Sequence, residues 1–114
     1  MARQRRRLVL AAPVLLEAYA VLTRLPAPHR LSLDSARELL RGNLAARRAV
    51  ALDTRGYWRL IDRAADGGVA GGRSYDALVV ACAVRAGVDR LLTLNRRDFE
   101  ALVPDSIAVE CPVD

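Results

Sequence analysis

Between Gly71 and Phe99 the chain reads GGRSYDALVVACAVRAGVDRLLTLNRRDF, and this stretch permits few folds. Gly71 and Gly72 close whatever precedes them, and Ser74 has the side chain of a good helix N-cap. From Tyr75 to Arg85 the run is almost wholly apolar and rich in small residues. Ala77, Ala81 and Ala83 are interleaved with Leu78, Val79, Val80, Cys82 and Val84. A helix apolar nearly all round is a buried one. Gly87 stands where a helix stops in a left-handed C′ residue. Leu91-Leu92-Thr93-Leu94 then reads as a short apolar strand, ended by Asn95-Arg96-Arg97-Asp98.

The lengths give this unit a direction. A helix of about 12 residues rises about 18 Å, and a strand of about five residues returns about 17 Å. With so short a connection the two must run antiparallel. The helix start and the strand end then share an edge, and so do Asp76 and the Asn95–Asp98 group. In open α/β sheets that carboxyl edge is where ligands bind. Two acidic side chains meeting there can form half of a metal site.

Length and composition set the frame for this unit. At 114 residues the chain is read as a single domain, 1–114, at the small end for one core. The 53% hydrophobic and 27% charged content fits an ordinary soluble fold. The net charge of +5 comes from arginine alone, with no lysine. Arginine is the better fork for phosphate and carboxylate, so RNA or an acidic protein are suitable partners. A GC-rich coding sequence accounts for the missing lysine, though not for the charge. Cys82 and Cys111 make no disulfide framework, and Cys82 reads as a small core residue. One histidine, His29, beside Pro28, excludes a zinc constellation and leaves no Ser-His-Asp or Cys-His site.

The N-terminus allows two readings. Arg3, Arg5, Arg6 and Arg7, the apolar run Leu8–Leu16 and Ala18-Tyr19-Ala20 have the order of a secretory signal. Against this, Pro13 interrupts the apolar run and Glu17 follows it. The alternative makes Arg7–Ala12 a strand and Pro13 the first residue of a helix that runs to about Leu25, before Pro26-Ala27-Pro28. Val14, Leu15, Ala18, Val21 and Leu22 then form its buried face, and Glu17 lies in its first turns, near the same carboxyl edge. Taken singly, Glu17 and Asp76 are acids favoured near helix N-termini by the macrodipole. Further on, Ser32 caps a helix over Leu33–Leu40, weakened by Gly42-Asn43, and Ala49–Leu52 is a strand ending at Asp53. Tyr57, Trp58, Leu60, Ile61 and Ala64 give helical spacing up to Gly67-Gly68, and Trp58 reads as core or interface. Ile107-Ala108-Val109 is a last edge strand. Strands alternating with helices, without hairpin signals, indicate a parallel sheet covered on both faces. No segment has the length of apolar residues a membrane helix needs.

Three strings occur in one order: L-L-E-A-Y-A-V-L-T-R-L-P from Leu15, R-x-Y-D-A-L from Arg73, and L-L-T-L-N-x-x-D-F from Leu91. Together they resemble the PIN-domain ribonucleases, and among them the VapC-type toxins of bacterial toxin–antitoxin pairs. The resemblance runs from about Arg7 to the end and implies a three-layer α/β/α PIN-like fold with a parallel sheet. It also implies a cytoplasmic protein, an RNA substrate, a cognate antitoxin, and a homodimer or higher oligomer, with no membrane partner. It weighs against the secretory reading.

Carried over by position, the resemblance makes Glu17 the family's second acid, Asp76 the third and Asp98 the fourth. Asn95 takes a polar place at the strand end, supported by Thr93. These carboxylates would hold Mg²⁺ or Mn²⁺, a hard ion that orients water for in-line attack on the phosphodiester. Clustered carboxylates repel one another unless a cation lies among them. Arg73, Arg96 and Arg97 flank the edge and are candidates for RNA phosphates. The family's opening strand, with its V-D-T-[SN] and first acid, has no counterpart in these residues, and RRLVLAAP matches the second strand. An N-terminally truncated PIN-like fold is therefore expected, with strand edges left open where the central strand would lie. A start placed downstream, a decayed remnant, or completion by another copy would each explain it. Two functions compete: a metal-dependent endoribonuclease toxin, and a catalytically inactive PIN module that still meets an antitoxin or another PIN subunit. Glu17, Asp76 and Asp98 are expected at one edge, with Asp34, Asp62, Asp66 and Asp89 as surface charges. Tyr19, Leu22, Leu25 and the Tyr57-Trp58-Ile61 face are expected at an interface.

Overall fold

Two pairs of short parallel strands, each backed by helices, organise the chain. The structure, a computed structural model, describes residues 8–112. The chain divides into two compact units, 1–50 and 51–114.

The first unit contains β1 (Val9–Ala11), α1 (Ala12–Arg24), α2 (Leu33–Leu44) and β2 (Arg48–Val50). β1 and β2 pair in parallel, Leu10 opposite Ala49. Of the expected strand Arg7–Ala12, Arg7 lies outside the described residues, as do Arg3, Arg5 and Arg6. Pro13 occupies the first turn of α1, where its missing N–H breaks no bond. Ala18-Tyr19-Ala20 lies in the middle of that helix, half-buried. Ser32 caps α2, its hydroxyl accepting from the Ser35 N–H at 3.1 Å. The helix runs through Gly42 to Leu44, further than expected. The Asn43 amide donates to the Leu39 carbonyl at 2.7 Å and helps to hold the turn that glycine weakens. Ala36 and Val50 are the buried residues here, and α1 packs along α2.

The second unit contains α3 (Thr54–Asp66), α4 (Arg73–Ala86), β3 (Arg90–Leu92), α5 (Arg96–Glu100) and β4 (Ala108–Glu110). β3 and β4 are parallel, Leu91 opposite Val109, and the pairing reaches Thr93, whose N–H donates to the Glu110 carbonyl. The Arg90 and Glu110 side chains are ion-paired at 3.5 Å. Leu60 of α3, Leu78, Val80 and Cys82 of α4, and Ile107 before β4 are buried. Gly87 stops α4 in a left-handed conformation, φ 72°, a turn that costs glycine little.

The sheet pairing is parallel, as the pattern predicts, and takes the form of two ladders, one in each unit. Further details differ from the sequence reading or narrow it. Ser74 is not the cap of α4: the helix already begins at Arg73, and the Ser74 hydroxyl donates back to the Gly71 carbonyl at 2.6 Å. The residues after β3 turn into the short helix α5 instead of leaving as loop. Trp58, read as core or interface, is 63% exposed, which removes the core alternative and leaves the interface one. Among the described residues no helix is long and apolar enough to cross a membrane.

Candidate functional site

The candidate site is built on how α4 and α5 begin. α4 starts directly after the Gly71-Gly72 pair, so Asp76 falls in its first turn. Asp76 is half-buried, and its carboxylate makes no hydrogen bond or ion pair among the described residues. β3 runs into Thr93, whose hydroxyl oxygen accepts from the Asn95 N–H at 3.0 Å. That bond turns the chain, and Asn95 becomes the N-cap residue of α5. Its side-chain amide donates to the Asp98 carboxylate, and the Asp98 N–H donates to the Asn95 carbonyl at 3.1 Å. Asp98, also half-buried, thus sits in the first turn of α5 with its rotamer held by Asn95. α5 packs against α4, so the second unit offers two first-turn carboxylates on neighbouring helices. Thr93 supports Asn95, and Asn95 supports Asp98.

Glu17 stands on α1 in the first unit, exposed and beyond the helix's first turn. The macrodipole acts over the first turn only, so it gives no local reason for an acid at this position. Within either unit by itself, no group of three His, Cys, Asp or Glu side chains gathers among the described residues. Two of the three expected acids belong to the second unit and one to the first. Arg73 and Arg97 are exposed, at the starts of α4 and α5. Asp34, Asp62, Asp66 and Asp89 are exposed surface charges, as expected, with Asp34 ion-paired to Arg37 and Asp89 in the turn after α4.

Two features escaped the sequence reading. Asp53, taken as a strand end, is the N-cap of α3, and its carboxylate accepts from the Gly56 N–H at 2.8 Å. That bond, aided by Arg85 at 3.9 Å, holds the Asp53 carboxyl below its ordinary range. Glycine at position 56 leaves room for the cap, since a Cβ would lie 3.1 Å from Asp53 Oδ1. An Asp just before a helically spaced apolar run was the available signal. The second feature is a cleft of about 700 Å³ in the first unit, walled by α1, α2 and the strands. Its lining combines residues far apart in sequence, which periodicity does not reveal.

The PIN domain family pattern matches residues 1–103. Ribonuclease VapC40 of Mycobacterium tuberculosis, in strains CDC 1551 / Oshkosh and ATCC 25618 / H37Rv, is 39% identical over 101 residues. These are 89% of this chain and 74% of the relative. No solved structure matches the chain. The family match reaches across both units and takes in Glu17, Asp76, Asn95 and Asp98. With its parallel strands and covering helices, the chain belongs to the PIN-domain family, as a VapC-type member with an α/β PIN-like fold.

Proposed function

We propose that this protein is a metal-dependent endoribonuclease, the toxin of a cytoplasmic toxin–antitoxin pair, and that residues 1–114 act as one PIN domain. Its substrate is RNA, its protein partners are a cognate antitoxin and a second copy of itself, and its cofactor is Mg²⁺ or Mn²⁺. The observation that supports this best is the pair of half-buried carboxylates, Asp76 and Asp98, at the starts of two packed helices. Among the described residues the Asp76 carboxylate has no hydrogen-bond or ion-pair partner, and Asp98 is oriented by an amide.

The donor chemistry fits a hard divalent cation, which takes carboxylate oxygens and retains waters. Asp76 and Asp98, both of the second unit, would hold it, and Glu17 is the further acid that the family resemblance names. Once bound, such an ion supplies Lewis acidity toward the phosphoryl oxygens and lowers the pKa of a water. The protein's own part is positional. Asn95 fixes the Asp98 carboxylate, Thr93 fixes Asn95, and Arg73, Arg96 and Arg97 attract the RNA backbone without regard to sequence. The test is cleavage of a structured RNA with Mg²⁺ or Mn²⁺, with and without EDTA. Metal-independent cleavage would contradict the mechanism.

A second reading, a non-catalytic PIN module, is favoured by one observation. α3 presents Tyr57, Trp58 and Ile61 at 40%, 63% and 53% exposure, an apolar face suited to a protein partner. A chain that is folded and metal-bound, yet inert toward RNA, would support that reading.

A further inference from the structure

The cleft of the first unit has features that the carboxylates do not use. Its apolar wall is formed by Leu10 of β1, Leu15 and Tyr19 of α1, and Leu40 and Leu44 of α2. Arg37, Arg41 and Arg47 line the same space. Asp34, the single acid in the lining, is already paired with Arg37. Arg41 and Arg47 are exposed and form no ion pair among the described residues. The charge of the chain is lopsided along the sequence. Residues 1–50 hold ten arginines against three acids, whereas residues 51–114 hold eight against ten. The whole positive excess of the chain belongs to the first unit.

We propose that this cleft is a subsite for single-stranded RNA, with a base stacked on Tyr19 among the leucines and the flanking phosphates on Arg41 and Arg47. Single strands are bound by pairing an aromatic platform with a basic groove. Guanidinium groups match phosphate geometry better than ammonium groups do. The volume lies in the range of sites that enclose a small organic body. An acidic amphipathic peptide would also find leucines and arginines here. A peptide with a few carboxylates needs only the rim, whereas a polyanion also responds to the net positive charge of residues 1–50. The proposal rests on the reading of this protein as one that acts on RNA. It concerns a subsite that holds the strand, not the carboxylates that act on it.

Fluorescence anisotropy of a labelled single-stranded RNA of about 12 nucleotides, with the full chain in EDTA, measures binding without cleavage. Arg41→Gln/Arg47→Gln should weaken binding about tenfold at low salt and reduce the slope of log K against log salt by about 1.4. Tyr19→Ala should weaken it about five- to a hundredfold, and Tyr19→Phe should restore it. Arg63→Gln, on α3, is the control and should change affinity less than about twofold. The proposal is overturned if the arginine pair leaves affinity and slope unchanged, or if the chain binds no RNA. It is also overturned if an acidic amphipathic peptide occupies the cleft and RNA does not displace it. Both arginines are exposed, so their replacement does not endanger folding. Binding without cleavage in Mg²⁺ would count against the ribonuclease reading and leave the subsite standing.

Discussion

Shortening Leu78 to alanine tests how α4 is seated in its unit. Leu78 is 8% exposed and lies one turn before Cys82, which is 1% exposed, so the two share a face against the buried residues of the unit. Removing a buried leucine costs the lost transfer free energy and leaves a cavity, together about 2–5 kcal/mol. Against a total stability of about 5–15 kcal/mol, that is a large share. With a urea dependence of about 1–3 kcal/mol per molar, a loss of about 3 kcal/mol moves the midpoint by about 1–3 M. Val84, on the same helix, is 52% exposed, and Val84→Ala should cost about 0.5 kcal/mol. Far-UV circular dichroism during urea unfolding reads both variants, since the exposed Trp58 is a poor reporter of the core. Equal losses for the two would mean that Val84 is buried in solution, against this seating of α4. A loss below about 1 kcal/mol for Leu78→Ala would refute the buried face itself.

The thiols and the α3 cap give two further tests. Burial pushes the Cys82 thiol up, while Cys111 is only half-buried, so iodoacetamide should modify Cys111 in the folded protein and Cys82 only after unfolding. Mass spectrometry of the labelled peptides checks this, and early modification of Cys82 would contradict the core assignment. The Asp53 carboxyl is depressed in the folded state, so its cap contribution is complete above the ordinary carboxylate value and is lost as pH falls through the folded value. Asn is a good cap without a titrating group, so Asp53→Asn should keep α3 and flatten the acid limb of the stability curve. An unchanged acid limb would show that the Asp53 carboxyl is not depressed by its cap bond.

Much of the fold was legible in local chemistry. Ser32 as a cap, Gly87 as a stop and the parallel pairing all follow from the residues and their order. Features set by small differences or by distant partners were not. Ser74 and Gly72 compete for the start of α4, and the glycine-rich entry let the helix begin one residue before the serine. α5 has five residues, too few for a hydrophobic period to show. The three-residue strands end where their partners end, which an apolar run does not disclose. Around the candidate site, the link from Asn95 to Asp98 is local and was within reach of the sequence. The cleft, joining Leu10, Tyr19 and Arg47, depends on tertiary packing and was not.

Replacing Asp76 by asparagine tests the proposed chemistry with the least change of shape. The Asp76 carboxylate makes no hydrogen bond or ion pair among the described residues, so the substitution breaks none of these. What it forfeits structurally is the interaction of a charge with the first turn of α4, at most about 1 kcal/mol. The unfolding midpoint should therefore stay close to that of the parent. Activity should respond far more. If Asp76 holds the ion as proposed, its replacement would weaken that hold, and a loss of about a hundredfold corresponds to about 2.7 kcal/mol of transition-state stabilisation. Asn95 acts through Asp98, so Asn95→Ala should reduce cleavage by about tenfold and raise the Mg²⁺ concentration for half-maximal rate. The assay follows structured RNA on gels with Mg²⁺, with Mn²⁺ and with EDTA, using separate digests for each variant. A folded Asp76→Asn chain that cleaves like the parent would remove Asp76 from the site. Cleavage that survives EDTA in the parent would remove the metal.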